Sequence, residues 1–215
     1  MIPPAAVLFD MDGTLIDTEP LWLLGETQTM SSFGYTWTAQ DQQNCFGLPI
    51  PIVSAYMHER VPQVAREHIV ESLLDTMDNL MSTRFAWSPG ADQLLQEVLA
   101  AALPCALVSA SWRRLVDVNL QQMSRSLGVD AFDVSIAGDE VQRGKPDPEP
   151  YLRAAARLGV DARTCLIVED SPAGVAAALA TGARVVGIEH LVPLGEHERL
   201  HIVPSLAGVR LTQLC

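Results

Sequence analysis

The sequence predicts an α/β protein: a doubly wound parallel sheet with an inserted all-helical domain. From residue 87 onward, short apolar runs that end in polar residues alternate with helical segments. Repeated strand–helix units of this length build parallel sheets with crossover helices on both faces. Residues 17–86 are helical in pattern, and about seventy residues are too many for an ordinary loop. We therefore expect an α/β core from residues 1–16 and 87–215, with residues 17–86 inserted as a helical domain.

The composition excludes several classes of function. The 215 residues carry a formal net charge of -12, which argues against nucleic-acid or anionic-membrane partners because both attract positive charge. No apolar stretch is long enough to span a membrane, and the start of the chain lacks the basic residues of a secretory signal. The four cysteines, Cys45, Cys105, Cys165 and Cys215, are far apart. They indicate reduced, core-filling thiols and a cytoplasmic location.

The first predicted strand, residues 5–9, ends abruptly in Asp10-Met11-Asp12-Gly13. Side chains one apart on a strand point to opposite faces, so the two carboxylates converge only if the chain turns between them. Gly13 permits that turn because glycine reaches positive φ at little cost. An Asp-Gly turn without function is the alternative interpretation of this segment.

The inserted helices begin at Thr18-Glu19-Pro20, where Thr18 can cap the first helix. Gly34 ends that helix, residues 47–51 form a break, and further helices are predicted over 52–59 and 64–82.

Strands and helices alternate in the remainder of the chain. The predicted strands are 105–108, 134–137, 165–168 and 184–188, with 201–203 as a weaker candidate for an edge strand. The predicted helices run from Pro89-Gly90 to Leu99, over 115–126, from Asp147-Pro148 to Gly159, and from Ser171-Pro172 to Gly182. In the third of these helices we expect Leu152, Ala155 and Leu158 to share the apolar face.

Polar residues follow four of the predicted strands. Ligands of such sheets bind outside the carboxyl ends of the strands, which is where Asp10 and Asp12, Ser109, Lys145, and Glu169-Asp170 lie. Ser109 alone can be a helix cap, Lys145 a solvated charge, and Glu169-Asp170 a turn. Because all of these polar residues follow the carboxyl ends of predicted strands, we favour the interpretation that they form one common site.

The chemistry that fits this site is metal-assisted phosphoryl transfer. Asp10 and Asp170 supply the hard oxygen ligands that Mg²⁺ prefers. Lys145, the only lysine among fourteen basic Lys and Arg residues, supplies a compact positive charge. Ser109 and nearby backbone N–H groups can donate to phosphoryl oxygens.

Four segments in order resemble the motifs of the haloacid dehalogenase-like hydrolases: FDMDGT from Phe9, VSAS from Val108, GKPDPEPY from Gly144 and VEDSPAG from Val168. The resemblance covers essentially the whole chain. It implies Asp10 as a nucleophile that forms an aspartyl-phosphate, and Asp12 as general acid and base whose backbone carbonyl reaches Mg²⁺.

The resemblance assigns roles to the other motif residues as well. Ser109, the Ala110 amide and Lys145 would hold the phosphoryl group. Asp170 would complete the metal site, with Glu169 acting behind it or through water. The helical insertion would be a mobile cap that excludes water and selects the substrate.

The branch of the family follows from Asp12 and from the cap. Carbon–halogen hydrolases lack the second aspartate, so Asp12 argues against dehalogenation. The position of the cap resembles the branch of β-phosphoglucomutase and small sugar-phosphate phosphatases. The mutases carry an early cap histidine near the position of Trp22 and a cap arginine after the glycine matching Gly47. Here no Lys, Arg or His occurs before His58, which favours hydrolysis of a monophosphate with a neutral sugar or polyol.

Three hypotheses remain: an Mg²⁺-dependent phosphatase of small phosphorylated metabolites, a phosphomutase, or a non-catalytic binding protein on the same scaffold. The complete motif set argues against the last. Trp22 can either contact the substrate or pack within the cap, and Arg60, Arg66 and Arg84 are solvated charges unless they reach the cleft. A monomer is the default of this branch.

Overall fold

The computed structural model describes residues 3–45, 47–189 and 192–214. Within these ranges six strands form one parallel sheet in the order β3-β2-β1-β4-β5-β6. The strands are β1 (Val7–Phe9), β2 (Cys105–Val108), β3 (Val134–Ile136), β4 (Leu166–Glu169), β5 (Arg184–Ile188) and β6 (Leu200–Val203). The strand order reverses beside β1, which is the first strand in sequence and central in space. The doubly wound, Rossmann-like sheet and the edge strand β6 are therefore as predicted.

Helices connect the strands and form the insertion. Those between β1 and β2 are α1 (Glu19–Ser32), α2 (Ala39–Cys45), α3 (Ile50–Arg60), α4 (Arg66–Thr83) and α5 (Ala91–Ala100). The later ones are α6 (Arg113–Leu127), α7 (Glu149–Leu158), α8 (Pro172–Ala180) and α9 (Leu211–Leu214). The sequence prediction missed α2 because this short helix is polar and buries only Asp41 and Cys45, which leaves no apolar period to detect.

Alternate residues of β1, together with Ala6 just before it, are buried in two separate cores. Val7 and Phe9 pack with α5, α6 and α9 on one face of the sheet. Ala6 and Leu8 pack with α7 and α8 on the other face. Because both faces are covered, the central strands are apolar throughout, and polar side chains are left to the strand ends.

The helices α1 to α4 enclose a third apolar cluster of their own. This cluster also includes Leu115, which is fully buried and belongs to α6. The chain leaves and rejoins the sheet through two adjacent segments, in which Asp17 N–H donates to Ala86 O and Ser88 N–H donates to Leu15 O. The insertion therefore rests on α6 and is joined to the sheet by two hydrogen-bonded connections.

The predicted apolar face of α7 is partly wrong. Leu152 is 45% exposed, whereas Tyr151, Ala154 and Ala155 are buried, and Leu158 is half-buried at the edge of the same core. The buried stripe follows positions 151, 154, 155 and 158, which are three and four residues apart on one helix face. Leu152 lies about 100° away from that stripe.

Three of the four cysteines, Cys45, Cys105 and Cys165, are buried and free, as predicted. Cys215 lies outside the described residues. No described helix is both long and apolar enough to cross a membrane.

Candidate active site

The carboxyl ends of the strands bring the predicted site residues together. Asp10 follows β1, Ser109 follows β2, and Glu169 ends β4, while Lys145 comes from the loop between β3 and α7. Asp10 is 6% exposed and Glu169 is fully buried. The strand register places Phe9 beside Leu107 and Val168, so these residues meet at one edge of the sheet.

Lys145 is the central cation of the site. Its Nζ donates to Asp10 Oδ1 at 2.5 Å, to Glu169 Oε1 at 2.6 Å and to the Val108 carbonyl at 3.0 Å. These three acceptors use all three N–H groups of the ammonium. Burial works to lower the pKa of Lys145, but the carboxylates of Asp10 and Glu169 outweigh it and raise that pKa. Lys145 is therefore charged at physiological pH.

Asp12 is held by three hydroxyl groups. Thr18 Oγ1 donates to Asp12 Oδ1 at 2.8 Å, while Ser109 Oγ and Ser111 Oγ donate to Asp12 Oδ2 at 3.1 Å and 2.8 Å. The expected capping role of Thr18 is wrong: it is the N-cap residue of α1, but its side chain makes no capping bond. Its hydroxyl instead ties the first residues of the insertion to Asp12.

Asp170 lies against the turn that follows β1. Thr14 Oγ1 donates to Asp170 Oδ1 at 3.2 Å. Gly13 has a φ of 79°, and a Cβ built there would lie 2.1 Å from Asp170 Oδ2. Glycine at this position thus serves the predicted turn and also the close approach of Asp170.

The acidic centre fits a divalent cation. Carboxylate oxygens of Asp10, Glu169 and Asp170 lie within 4.8 Å of one another. Burial raises the pKa of Asp10 to about 7, with Lys145 opposing and Glu169 and Asp12 adding to the rise. Burial, with the charges of Asp10 and Glu169, raises the pKa of Asp170 to about 9. The single positive charge of Lys145 therefore does not balance the negative charge of the three carboxylates.

One atom supports a metal at this centre more directly. Asp10 Oδ2 is buried and has no hydrogen-bond partner among the described residues, and a buried carboxylate oxygen without a partner is costly. Hard cations such as Mg²⁺ bind oxygen donors of this kind. The residues that would hold the cation are Asp10 and Asp170, with the backbone carbonyl of Asp12 as implied by the family resemblance.

Ala110 and Trp22 are the remaining predicted site residues. Ala110 is exposed in the turn after β2, and Ser111 N–H donates to Ser109 Oγ at 2.9 Å. Trp22 is half-buried against the apolar cluster of the insertion. Packing thus accounts for part of its surface, and substrate contact through the rest stays a prediction.

The arginines of the insertion divide into held and exposed ones. Arg60 pairs with Asp41 at 2.8 Å and stacks 3.2 Å from the centre of the Tyr56 ring. Arg66 donates to Ser54 Oγ and to the Pro51 carbonyl. Arg84 is exposed just beyond α4. Two of the three are therefore engaged within the insertion.

Sequence reasoning missed four side chains that contact the predicted site residues: Thr14, Thr18 (in its observed role), Ser111 and Tyr151. Each lies inside or beside a motif, so proximity in sequence was an available signal. Hydroxyl groups have many uses, however, and only the folded chain shows which carboxylate each one contacts.

Comparison with known proteins agrees with this geometry. The model of the family described as haloacid dehalogenase-like hydrolase matches residues 7–188. The chain is 32% identical over 190 residues to the phosphorylated carbohydrates phosphatase of Thermotoga maritima, which covers 86% of this chain and 85% of that protein. It is 31% identical over 212 residues to hexitol phosphatase B of Escherichia coli strain K12, covering 97% and 93%.

Among solved structures, CbbY from Rhodobacter sphaeroides in complex with phosphate aligns with a TM-score of 0.82 at 23% identity, over 98% of this chain and 99% of that one. This likeness supports the fold. Together, the sheet, the helical insertion and the sequence relatives define an enzyme of the phosphoric monoester hydrolase class. The chain belongs to the haloacid dehalogenase-like hydrolase family, in its phosphatase and phosphomutase branch.

Proposed function

We propose that this protein is an Mg²⁺-dependent phosphatase that hydrolyses small sugar or polyol phosphates through an aspartyl-phosphate on Asp10. The observation that carries the proposal is the convergence of Asp10, Asp12, Lys145 and Asp170 at one edge of the sheet, with Asp10 Oδ2 buried and unpartnered among the described residues. The likeness to phosphatases of phosphorylated carbohydrates and hexitols supports the substrate class.

In the first half-reaction, an oxygen of the Asp10 carboxylate attacks phosphorus and the ester oxygen leaves. The leaving alkoxide takes a proton from Asp12, whose carboxyl is held in place by Thr18, Ser109 and Ser111. The product is an acyl phosphate on Asp10 and a free alcohol. A bound divalent cation would offset the negative charge that gathers on the phosphoryl oxygens.

In the second half-reaction, water attacks the phosphorus of the acyl phosphate and gives a proton to Asp12. The bond between phosphorus and the Asp10 oxygen breaks, which releases inorganic phosphate. Asp10 is again a carboxylate and Asp12 again carries a proton, so the cycle closes. Lys145 keeps its positive charge beside Asp10 throughout.

The proposed leaving group is neutral because the insertion offers few cations for a second phosphate. Lys, Arg and His are absent before His58, and Arg60 and Arg66 are engaged by Asp41, Ser54 and Pro51. A hydroxylated, uncharged alcohol needs hydrogen-bonding and apolar contacts instead, which the half-buried Trp22 can supply.

The cap motion, the location and the oligomeric state belong to the same proposal. Residues 17–86 would act as a cap that closes over the substrate by bending at the two paired connections. The buried thiols of Cys45, Cys105 and Cys165 fit the reducing conditions of the cytoplasm. The protein would act there as a monomer on a small phosphorylated metabolite.

The test is phosphate release from a panel of phosphorylated sugars, polyols and nucleotides, with Mg²⁺ and with EDTA. We expect the fastest Mg²⁺-dependent release from sugar and polyol monophosphates. Asp10→Asn should abolish release, because a neutral amide is a poor nucleophile. Asp130→Asn, the same change in an exposed loop, should leave release unchanged.

Two outcomes would contradict the proposal. Release that survives Asp10→Asn would show that another group is the nucleophile. Interconversion of sugar phosphates without net release of phosphate would identify a phosphomutase instead.

A further inference from the structure

Tyr151 is the largest fully buried side chain of the protein's described residues. It lies on α7, and its hydroxyl donates to Glu169 Oε1 at 2.9 Å. The same Glu169 oxygen accepts from Lys145 Nζ at 2.6 Å. The Tyr151 hydroxyl and the Lys145 ammonium therefore share one acceptor atom, Glu169 Oε1.

Glu169 is saturated with hydrogen bonds. Besides the two donors on Oε1, its Oε2 accepts from Asp170 N at 2.9 Å, from Ser171 N at 3.0 Å and from Ser171 Oγ at 3.1 Å. A carboxylate offers about four lone-pair sites, so five donors leave none of them free. Although Glu169 lies within the acidic cluster, its oxygens are committed to protein donors and not to a cation.

The space around Glu169 is equally committed. A Cβ built on Gly174 would lie 1.7 Å from Glu169 Oε1 and 2.2 Å from Oε2. The Glu169 carboxylate is thus packed against the first turn of α8 and hydrogen-bonded to Tyr151. These contacts hold the carboxylate in a single position.

The position of Glu169 decides where Lys145 points. Two of the three Lys145 N–H groups go to acceptors fixed by the scaffold, the Val108 carbonyl and Glu169 Oε1. With those two set, the third N–H is directed at Asp10 Oδ1. The Tyr151 ring lies 5.0 Å from Nζ and supports the ammonium by a cation–π contact.

We propose that Tyr151 is a positioning residue for Lys145: its hydroxyl fixes Glu169 Oε1, and its ring supports the ammonium that faces Asp10. The effect on turnover rests on the proposed function, whereas the effect on the lysine does not. Without the hydroxyl, Glu169 Oε1 loses one of its two donors, and the lysine gains freedom to move with the carboxylate.

The experiment compares Tyr151→Phe with wild type in two assays. In steady-state kinetics we expect kcat to fall about tenfold, the lower end of the loss that follows removal of a group that orients a metal ligand, with KM and the Mg²⁺ half-saturation unchanged. In the second assay, an amine-modifying reagent and mass spectrometry report on Lys145, which is the only lysine and therefore has to be distinguished only from the N-terminus. Its side chain is 6% exposed, and we expect its modification in Tyr151→Phe to be several-fold faster.

Tyr56→Phe is the matched control. Tyr56 Oη also donates at 2.9 Å to a buried carboxylate, Asp41, which like Glu169 has five donors. This pair lies in the helical insertion, so its loss should lower stability without changing kcat or the modification of Lys145. Thermal unfolding of both variants shows whether each is folded.

Each result decides between alternatives. Wild-type kcat and wild-type modification in Tyr151→Phe would overturn the proposal, and so would a higher Mg²⁺ half-saturation, which would assign Glu169 to the cation. If the wild-type protein releases no phosphate from any substrate, the proposed function fails. The modification assay then decides by itself whether Tyr151 holds Lys145.

Discussion

At the scale of single residues, the site depends on where side chains are absent as much as on where they are present. Gly13 turns the chain after β1 with a φ of 79°, and Asp170 Oδ2 occupies the space in which a Cβ would lie. Gly159, with a φ of 73°, faces open space by comparison, because a Cβ added there would have no atom within 4 Å. Gly13 is therefore constrained twice, by conformation and by contact.

We expect Gly13→Ala to impair the acidic centre beyond its cost in backbone strain. Both Gly13→Ala and Gly159→Ala should lose about 1–2 kcal/mol of unfolding free energy, because alanine is disfavoured at positive φ. Gly13→Ala should also displace Asp170, which would raise the Mg²⁺ concentration needed for half-maximal activity by about tenfold. Denaturant unfolding and Mg²⁺ titration of both variants measure the two effects, and equal Mg²⁺ requirements would contradict the assignment of Asp170.

Single hydroxyl groups also connect parts of the chain that are far apart in sequence. Thr18 belongs to the insertion and Ser109 and Ser111 follow β2, yet all three donate to Asp12. Asp12 therefore contacts both the start of the insertion and the turn proposed to bind phosphate.

At the scale of elements, α1 carries an acid into the apolar interior of the insertion. Glu26 is 5% exposed and accepts a hydrogen bond from Trp37 Nε1 at 3.2 Å. Burial raises the pKa of Glu26 to about 7; the bond from Trp37 opposes that rise and the charge of Glu19 adds to it. Because the folded state holds the proton more tightly than the unfolded state, the contribution of Glu26 to stability is greatest at low pH and falls as pH rises from about 4.5 through 7.

Glu26→Gln should remove this dependence. Between pH 5 and pH 8 we expect the unfolding free energy of the variant to gain about 2 kcal/mol relative to wild type, since glutamine has no proton to lose. Glu67→Gln, the same change at an exposed position of α4, should keep a constant difference from wild type. Urea unfolding at both pH values measures this, and a constant offset for Glu26→Gln would show that the carboxyl does not titrate in this range.

The element α7 shows how one helix serves both packing and chemistry. Its buried stripe contains Tyr151, Ala154 and Ala155, and the tyrosine reaches past the core to Glu169. The two alanines pack in the apolar core on the same face of the sheet.

At the scale of the whole molecule, the protein has an excess of negative charge, and three carboxylates are gathered at the site. The chain has a net charge of -12, and the carboxylates of Asp10, Glu169 and Asp170 meet in its interior. A cation that binds only the folded state stabilises it by mass action. The acidic centre would therefore link metal binding to the stability of the entire protein.

We expect millimolar MgCl₂ to raise the midpoint of thermal unfolding by about 5 °C over the value in EDTA, if the concentration is about a hundred times the dissociation constant. Asp170→Asn should abolish this increase, whereas Asp130→Asn should retain it. Differential scanning calorimetry with NaCl of matched ionic strength provides the comparison. An equal increase with NaCl would show that general screening, and not a bound cation, is responsible.

Local patterns in the chain were enough to predict the sheet, the helical insertion and the residues at the strand ends. Apolar periodicity, glycine and proline positions, and acidic residues after buried strands are signals carried by neighbouring residues, so the sequence displays them directly. The same reasoning failed for Leu152, because an error of one position in the helix face turns a side chain outward, and for α2, because a polar helix has no apolar period.

Which polar groups meet was decided by packing in three dimensions. The bonds from Ser109 to Asp12, from Lys145 to Asp10 and from Tyr151 to Glu169 join segments that the fold brings together. A hydroxyl or carboxylate carries no local mark of its eventual partner, because that partner is selected by distance in the folded chain. The sequence therefore specified the kinds of groups at the site, and the fold specified their pairing.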